Sequence, residues 1–234
     1  MVAARRYYYY LNERGHLFHI FDVKGFVQSK QKPAGPAYLR DGVFLDFFYQ
    51  RLQRNSLTHI TACNNNNNNN NKMSGGISES IIVEDNLVMT VDQFLQFFPY
   101  VSLCGKEKNF LSVQDAPVVF TDYNFNSELK EKKEKEKDLD SVATLSFAGS
   151  LQEPFQPSAL TVTQAGKLFH PITTLKYLHR TTAEQPSESV KGLVGAQVGL
   201  KLGFDFLCEE QNRDGQYMIE WNGQKYVIPY SSDQ

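Results

Sequence analysis

Several features that would assign a function directly are scarce in this sequence. Its three cysteines, Cys63, Cys104 and Cys208, form no CxxC pair and have no Cys/His ligand spacing, so neither a disulfide framework nor a structural zinc site is expected. No apolar run reaches the roughly 18 residues that a membrane helix needs, and the opening residues MVAARRYYYY lack the apolar stretch of a secretory signal. We therefore predict a chain without a membrane span in a reducing compartment, the cytoplasm.

An excess of charge of one sign is also lacking. The 24 Lys and Arg residues are offset by 26 Asp and Glu residues, and both kinds are spread evenly. Without a basic stripe the chain is not expected to bind nucleic acid or an acidic membrane surface, and it has no Gly-rich phosphate-loop spacing. The predicted partner is an unidentified small molecule or protein, and no cofactor is predicted.

Aromatic residues, by contrast, are abundant. The chain has 17 Phe and 12 Tyr, and 41% of its residues are hydrophobic. Such a composition favours strands and packed aromatic layers over a helical bundle. The predicted fold class is α+β, with antiparallel β hairpins or a meander, a few packed helices and two low-complexity insertions.

The two insertions divide the chain. Residues 64–71 are eight consecutive Asn, and residues 128–138 contain five Lys and five acidic residues. Neither run can bury enough apolar surface to offset its ordering entropy, although the charged run also suits an exposed helix with i,i+4 ion pairs. The predicted parts of one globular unit are a hairpin plus helix (5–62), a disordered Asn-rich insertion (63–91), a central segment (92–126), a charged insertion (127–141) and a β-rich part (142–230).

Three hairpins are predicted from turn chemistry. Strands at 7–11 and 16–21 flank Asn-Glu-Arg-Gly, strands at 160–162 and 167–170 flank Thr-Gln-Ala-Gly, and strands at 216–221 and 224–228 flank Asn-Gly. The first two hairpins share a short sequence match. Both a duplication and recurrent hairpin chemistry explain that match.

Other elements follow from periodicity and caps. Asp41 is a predicted N-cap for a helix over 42–53, and a second helix over 92–98 ends before Pro99. Strands are predicted at 117–120 and 142–148, and a loop at 24–36. The strict alternation of apolar residues from 194 to 206 favours a strand, because glycine is costly inside helices, although its glycines at a spacing of four also suit a helix face.

The segment 97–120, FFPYVSLCGKEKNFLSVQDAPVVF, contains the candidate site. Pro99 and Gly105 predict a turn over 103–109, between a short buried segment and a strand at 109–113. Backbone N–H groups together with Lys106, Lys108 and Asn109 would there form a positive concavity for a small anion. A surface loop with two solvated lysines explains the same pattern.

Catalytic candidates are limited to Cys104 and His170. Cys104 with His170 or His19 would form a thiolate–imidazolium pair, but Cys104 lies beside apolar residues and free cysteine is among the most buried residue types. His16 and His19 point to opposite faces of a strand and form no metal pair. No catalytic residue or metal site is therefore assigned, and the chain is predicted to be a non-catalytic ligand- or protein-binding module. The alternative is an enzyme or sensor of a small anionic metabolite that uses the turn from Cys104 to Asn109.

The sequence also resembles a eukaryotic uncharacterised protein family. The similar blocks include Cys-Gly-x-x-x-Asn-Phe-Leu from Cys104, Asp-Ala-Pro-Val-Val-Phe from Asp115, Leu-Phe-His-Pro from Leu168 and Trp-Asn-Gly from Trp221. The resemblance implies no established activity. Animal members look mitochondrial through a leader that this chain lacks, so the mitochondrion is the alternative location. A looser similarity to a bacterial unknown-function family, with small antiparallel sheets and proposed ligand binding, implies a helix over 195–208 instead of a strand.

Overall fold

The structure is a computed structural model that describes residues 5–29, 32–33, 36–61, 80–83, 87–125, 143–179, 189–202, 217–221 and 224–231. The Asn run, the charged run and residues 203–216 lie outside these ranges. The predictions made for those segments therefore concern residues that are not described. The insertion predicted to be disordered over 63–91 is wrong in extent, because Ser80–Ile82 and Val88–Thr90 form a pair of antiparallel strands.

Most elements are short strands, and a few short helices lie between them. In chain order they are β1 (Arg5–Leu11), β2 (Leu17–His19), α1 (Val23–Ser29), α2 (Gly42–Gln50), β3 (Leu52–Arg54), α3 (Leu57–Thr61), β4 (Ser80–Ile82), β5 (Val88–Thr90), α4 (Val91–Phe97), β6 (Tyr100–Cys104), β7 (Glu107–Val113), β8 (Val119–Phe120), β9 (Asp122–Phe125), β10 (Ala143–Phe147), β11 (Leu151–Pro154), β12 (Thr161–Val162), β13 (Leu168–Pro171), β14 (Lys191–Val194), α5 (Ala196–Lys201), β15 (Tyr217–Trp221) and β16 (Gln224–Ile228).

The first sheet has five strands in the order β2-β1-β7-β6-β3. Its central pair, β1 and β7, is parallel from Arg5 opposite Glu107 to Leu11 opposite Val113, and the other pairs are antiparallel. Because successive side chains point to opposite faces, the tyrosine run of β1 supplies both faces with rings. Tyr9 belongs to one buried cluster and Tyr8 to another. The first sheet is thus buried on both sides.

Helices cover the two faces of the first sheet. On the Tyr9 face lies α2, whose Phe48 ring is 5.4 Å from that of Tyr9 and whose Phe48 carbonyl accepts a 2.7 Å hydrogen bond from Ser102. On the Tyr8 face lie α1, α3 and α4, with Phe94 of α4 among the buried residues. The helix that Asp41 caps therefore packs on the first sheet.

Two further sheets form the second half of the fold. The second sheet has the order β12-β13-β14-β8, and the third has the order β11-β10-β9. Thr121, between β8 and β9, donates its N–H to Ser146 of β10 at 2.8 Å, which joins the two sheets. The cluster that includes Tyr9 continues through both sheets to Ile228 of β16, so these elements share one core.

The fold class is confirmed, because most strand pairs are antiparallel and a few helices pack on them. All three predicted hairpins are present, as β1–β2, β12–β13 and β15–β16. The helix before Pro99 and the strand at Ala143–Phe147 are also present. The parallel pairs β1–β7 and β8–β14 were not predicted.

The first two hairpins have the same turn. In one, Gly15 donates its N–H to Asn12 O at 3.1 Å, and in the other, Gly166 donates its N–H to Thr163 O at 2.9 Å. Both glycines have positive φ, +78° and +74°, a region that L side chains rarely adopt. The sequence match between the hairpins therefore reflects one turn geometry.

Two predicted elements are wrong in type or extent. Within the predicted loop 24–36, α1 continues to Ser29, with Asp22 Oδ1 accepting a 2.7 Å hydrogen bond from Gly25 N–H. The helix after Asp41 ends at Gln50, because the next residues pair with β6 as β3. These segments are short, and long-range pairing and local caps outweigh their periodicity.

The strand predicted over 194–206 is a further error. The chain leaves β14 at Val194 and forms α5, as the looser bacterial similarity implied. Val198 and Leu202, four residues apart, are buried, whereas Leu200 is 64% exposed. The apolar residues at 198 and 202 therefore follow helical spacing, and the apparent alternation arose because Leu200 is an exposed apolar residue.

The two matched turns predict different costs for an added methyl group. We expect Gly15→Ala and Gly166→Ala each to lose about 1–2 kcal/mol of unfolding free energy through left-handed strain. A Cβ at position 15 would also lie 2.7 Å from Thr121 Cγ2, whereas one at position 166 meets nothing within 4 Å. Urea denaturation should therefore show the larger loss for Gly15→Ala, and equal losses would contradict the close contact.

Candidate functional site

The turn after Cys104 contains fewer residues in the structure than the sequence predicted. Strand β6 ends at Cys104 and β7 begins at Glu107, so Gly105 and Lys106 alone form the turn. The predicted turn over 103–109 is therefore wrong in extent, because Lys108 and Asn109 pair with β6 as part of β7. The segment is a tight hairpin instead of a loop.

The three predicted anion-binding residues point in different directions. Lys106 is exposed, and Lys108 Nζ donates to His59 O at 2.5 Å. Asn109 is 1% exposed, and its Nδ2 donates to Ser102 O at 3.3 Å. Adjacent strand residues face opposite sides of a sheet, so the structure does not bring these side chains together. Their role in binding stays a prediction.

The two catalytic candidates lie in different sheets. The sequence favoured a buried Cys104, but this residue is half-buried because it is the last residue of β6. Its Sγ lies 3.4 Å from Ser102 Oγ. His170, in β13 of the second sheet, is 1% exposed. Its Nε2 accepts from Gln156 N–H at 3.0 Å, and its Nδ1 lies 2.7 Å from Pro171 O.

His19 is also distant from Cys104. Cys104 pairs with Glu107, which pairs with Arg5, whereas His19 pairs with Tyr9. Four residues of strand separate these two levels, roughly 13 Å along the strand. The ring of His19 instead packs against Phe21, at 4.3 Å.

A pocket lies between the first and second sheets, with a volume of about 330 Å³. We call it the inter-sheet pocket. Six separate chain segments contribute to its walls: Arg54 of β3, Tyr100 of β6, Asp115, Ala116 and Pro117 of the β7–β8 connection, Thr163 and Phe169 of the second hairpin, Ser189, Val190 and Lys191 at β14, and Ser231.

Each sheet supplies one cation and one aromatic ring to this pocket. Arg54 and Tyr100 are directly paired across β3 and β6, so their side chains share one face of the first sheet. In the second sheet Lys191 pairs with Pro171, two residues from Phe169, which places Lys191 and Phe169 on one face. The pocket thus combines two positive groups with two rings.

One positive charge at the inter-sheet pocket, that of Arg54, has no charged partner among the described residues. Lys191 Nζ donates to Ser231 Oγ at 3.2 Å. Asp115 Oδ1 accepts a 2.6 Å ion-paired hydrogen bond from Lys167, which offsets the charge of that carboxylate. Arg54 is half-buried, and its guanidinium makes no hydrogen bond or ion pair with any residue that the structure describes.

Tyr100 and Asp115 are two more polar side chains that line the pocket. Burial raises the pKa of Tyr100, and nearby Arg54 partly opposes this rise, so the phenol is neutral and able to donate at neutral pH. The Oδ2 atom of Asp115 is buried and accepts no hydrogen bond within the described residues. The pocket therefore offers donors from Arg54, Lys191 and Tyr100.

Sequence reasoning missed most of this pocket. Asp115 was expected only as part of the family resemblance, and Arg54, Tyr100 and Lys191 belong to no motif. Their proximity depends on the pairing of β3 with β6 and on the approach of two sheets. The block starting at Asp115 was the available signal, because it is part of the family resemblance and contributes three consecutive residues to the pocket.

Residues 87–232 match a family described as Domain of unknown function (DUF4505). The chain belongs to this family. The expected resemblance to an uncharacterised family is thereby confirmed. Strands β1 and β3 precede the matched range of this DUF4505 member but pair with β7 and β6, respectively, inside it. No solved structure matches the chain.

Among the described residues, no group of three or more His, Cys, Asp and Glu side chains could hold a metal ion. None of the helices in the same ranges has the length and apolar composition to cross a membrane.

The hydrogen bonds of His170 predict a loss of stability in acid. Because Nε2 accepts from Gln156, the proton of the neutral ring is on Nδ1, which donates to Pro171 O. Burial lowers the pKa of His170, against opposing effects of the Pro171 carbonyl and Glu153. Below the unfolded-state pKa of about 6.5 the unfolded chain binds more protons than the folded chain, so stability falls as the pH decreases.

Urea denaturation between pH 7.5 and 5 measures this effect. We expect His170→Gln, whose side-chain oxygen can accept from Gln156, to reduce the pH-dependent loss. His179→Gln is the matched control, because His179 is exposed. If both variants show the full loss of the unsubstituted chain, His170 is not its source.

Proposed function

We propose that this chain is a non-catalytic binding module for a small anion, which occupies the inter-sheet pocket. The observation that supports the proposal is the half-buried Arg54 guanidinium, which lines the pocket together with Lys191 and has no charged partner among the described residues. The proposal retains the anionic ligand class expected for the sequence but moves it from the Cys104 turn to the pocket.

The energetics of arginine support an anionic ligand. A guanidinium has five N–H donors in a planar fork that matches carboxylate and phosphate oxygens. Partial burial removes some of its water, and an unpaired buried charge is costly. A bound carboxylate or phosphate would replace that water with charge-assisted hydrogen bonds, which are the stronger kind. Lys191 and the Tyr100 hydroxyl would add donors from both sheets.

Binding without a chemical step agrees with the side chains at hand. The described residues that line the pocket include neither Cys nor His, the usual nucleophile and general base of the sequence-based alternative. Cys104 and His170 lie in separate sheets. The role proposed for the pocket is therefore recognition, and the cytoplasm, or alternatively the mitochondrion, would supply the anion.

Thermal unfolding with simple anions tests the proposal. Inorganic phosphate and acetate should raise the melting temperature of the unsubstituted chain in a concentration-dependent way, because a ligand of the folded state stabilises it by mass action. Arg54→Gln should weaken the phosphate affinity by about tenfold or more, since hydrogen bonds to charged groups contribute about 1.5–3 kcal/mol each.

Lys106→Gln is the matched control and tests the Cys104 turn. Lys106 is exposed at the tip of the β6–β7 hairpin, so its substitution should leave the phosphate-induced shift unchanged. A shift that survives Arg54→Gln and disappears in Lys106→Gln would place the anion at the turn instead. No shift with either anion would refute anion binding altogether.

A further inference from the structure

Aromatic rings are a second property of the inter-sheet pocket, independent of its charge. Tyr100 and Phe169 line it from the first and second sheets, and both are only half-buried. Ala116, Pro117 and Val190 add apolar surface from the connecting segments. A site for a bare inorganic ion would need donors alone, so this apolar surface requires a different explanation.

We infer that the ligand is an organic anion with a flat, aromatic body, such as an aryl carboxylate or an aryl phosphate monoester. This inference rests on the proposed anion site and specifies the part of the ligand that carries no charge. The anionic group would bind Arg54 and Lys191, and the ring would lie against Phe169.

Strand pairing supports this division of roles. Arg54 is the cross-strand neighbour of Tyr100, and Lys191 lies diagonally from Phe169 on the other sheet. Diagonal and directly paired side chains on one face are within contact distance of each other when they are long or aromatic. A charged group held by either cation would therefore bring an attached ring next to an aromatic side chain.

The size of the pocket agrees with a single ring. Ligand pockets commonly span roughly 300–1,000 Å³ and combine apolar walls with a few polar groups. At about 330 Å³ the inter-sheet pocket is at the small end of that range. It suits one ring with one anionic substituent better than a dinucleotide or a long-chain acid.

Asp115 limits the number of anionic groups that the ligand can carry. Its carboxylate forms an ion pair with Lys167 through Oδ1 alone, while Oδ2 is buried, accepts no hydrogen bond within the described ranges and retains negative charge. A second anionic group on the ligand would be repelled by this carboxylate, whereas a neutral ring would not. The ligand is therefore expected to carry one anionic group, not two at opposite ends.

Titration calorimetry with two matched pairs of probes tests the inference. Phenyl phosphate should bind roughly tenfold or more tightly than inorganic phosphate, and benzoate should exceed acetate similarly, because ring burial and ring–ring contact both add affinity. The two pairs separate the ring from the anionic group, and together they show whether the phosphate or the carboxylate is preferred.

Two variants assign the contributions. Arg54→Gln should weaken phenyl phosphate and inorganic phosphate by the same factor, whereas Phe169→Leu should weaken phenyl phosphate alone, by about threefold to tenfold. The melting temperature and circular dichroism of Phe169→Leu would show whether this variant is folded. If that variant does not fold, the comparison of probes on the unsubstituted chain decides the question.

The outcomes separate the two proposals. If phosphate and acetate bind through Arg54 but the aryl probes bind no more tightly, the aromatic ligand is refuted and the anion site stands. If Phe169→Leu weakens all probes equally, the ring of Phe169 makes no specific contact with the ligand body, and the inference is also refuted. If no probe binds, the proposed function itself fails.

Discussion

The fold depends on how the chain crosses from the first sheet to the second and third sheets between β7 and β9. Backbone hydrogen bonds connect this crossing to all three of these sheets. The hydrogen bonds are Gln114 N to Leu11 O at 2.9 Å, Leu193 N to Val118 O at 2.9 Å, Gly195 N to Phe120 O at 2.9 Å and Thr121 N to Ser146 O at 2.8 Å. Since a buried backbone group without a partner is costly, these bonds specify where each sheet lies relative to the crossing.

Side chains reinforce the crossing at both hairpin turns. Gln114 donates to Glu13 of the first turn at 2.9 Å, and Asp115 pairs with Lys167 of the second turn. Further along, Phe120 is fully buried, and a Cβ at Gly192 would lie 2.7 Å from its ring. The glycine at 192 is thus explained by the close approach of β14 to β8.

Local chemistry explains why some elements were predictable. Each hairpin turn is specified by a few consecutive residues, such as Asn12, whose Oδ1 accepts from the N–H groups of Arg14 and His16, and so the sequence alone predicted it. The segment after Val194 was predicted wrongly, because its alternating apolar residues are typical of a strand. In the structure the N–H of Gly195 is bound to Phe120 O of the crossing, and a helix begins at the next residue. The inter-sheet pocket was not predictable, since Arg54 and Lys191 line one pocket only after the first and second sheets have formed, each with its own parallel pair.

The same crossing accounts for the preorganisation of the inter-sheet pocket. Residues 115–117 form part of its wall and also connect the sheets that carry Arg54 and Lys191. Any change in the distance between these sheets would strain the hydrogen bonds of the crossing, so the walls of the pocket are held in place before a ligand arrives. Binding at the pocket would therefore stabilise the junction on which the whole fold depends.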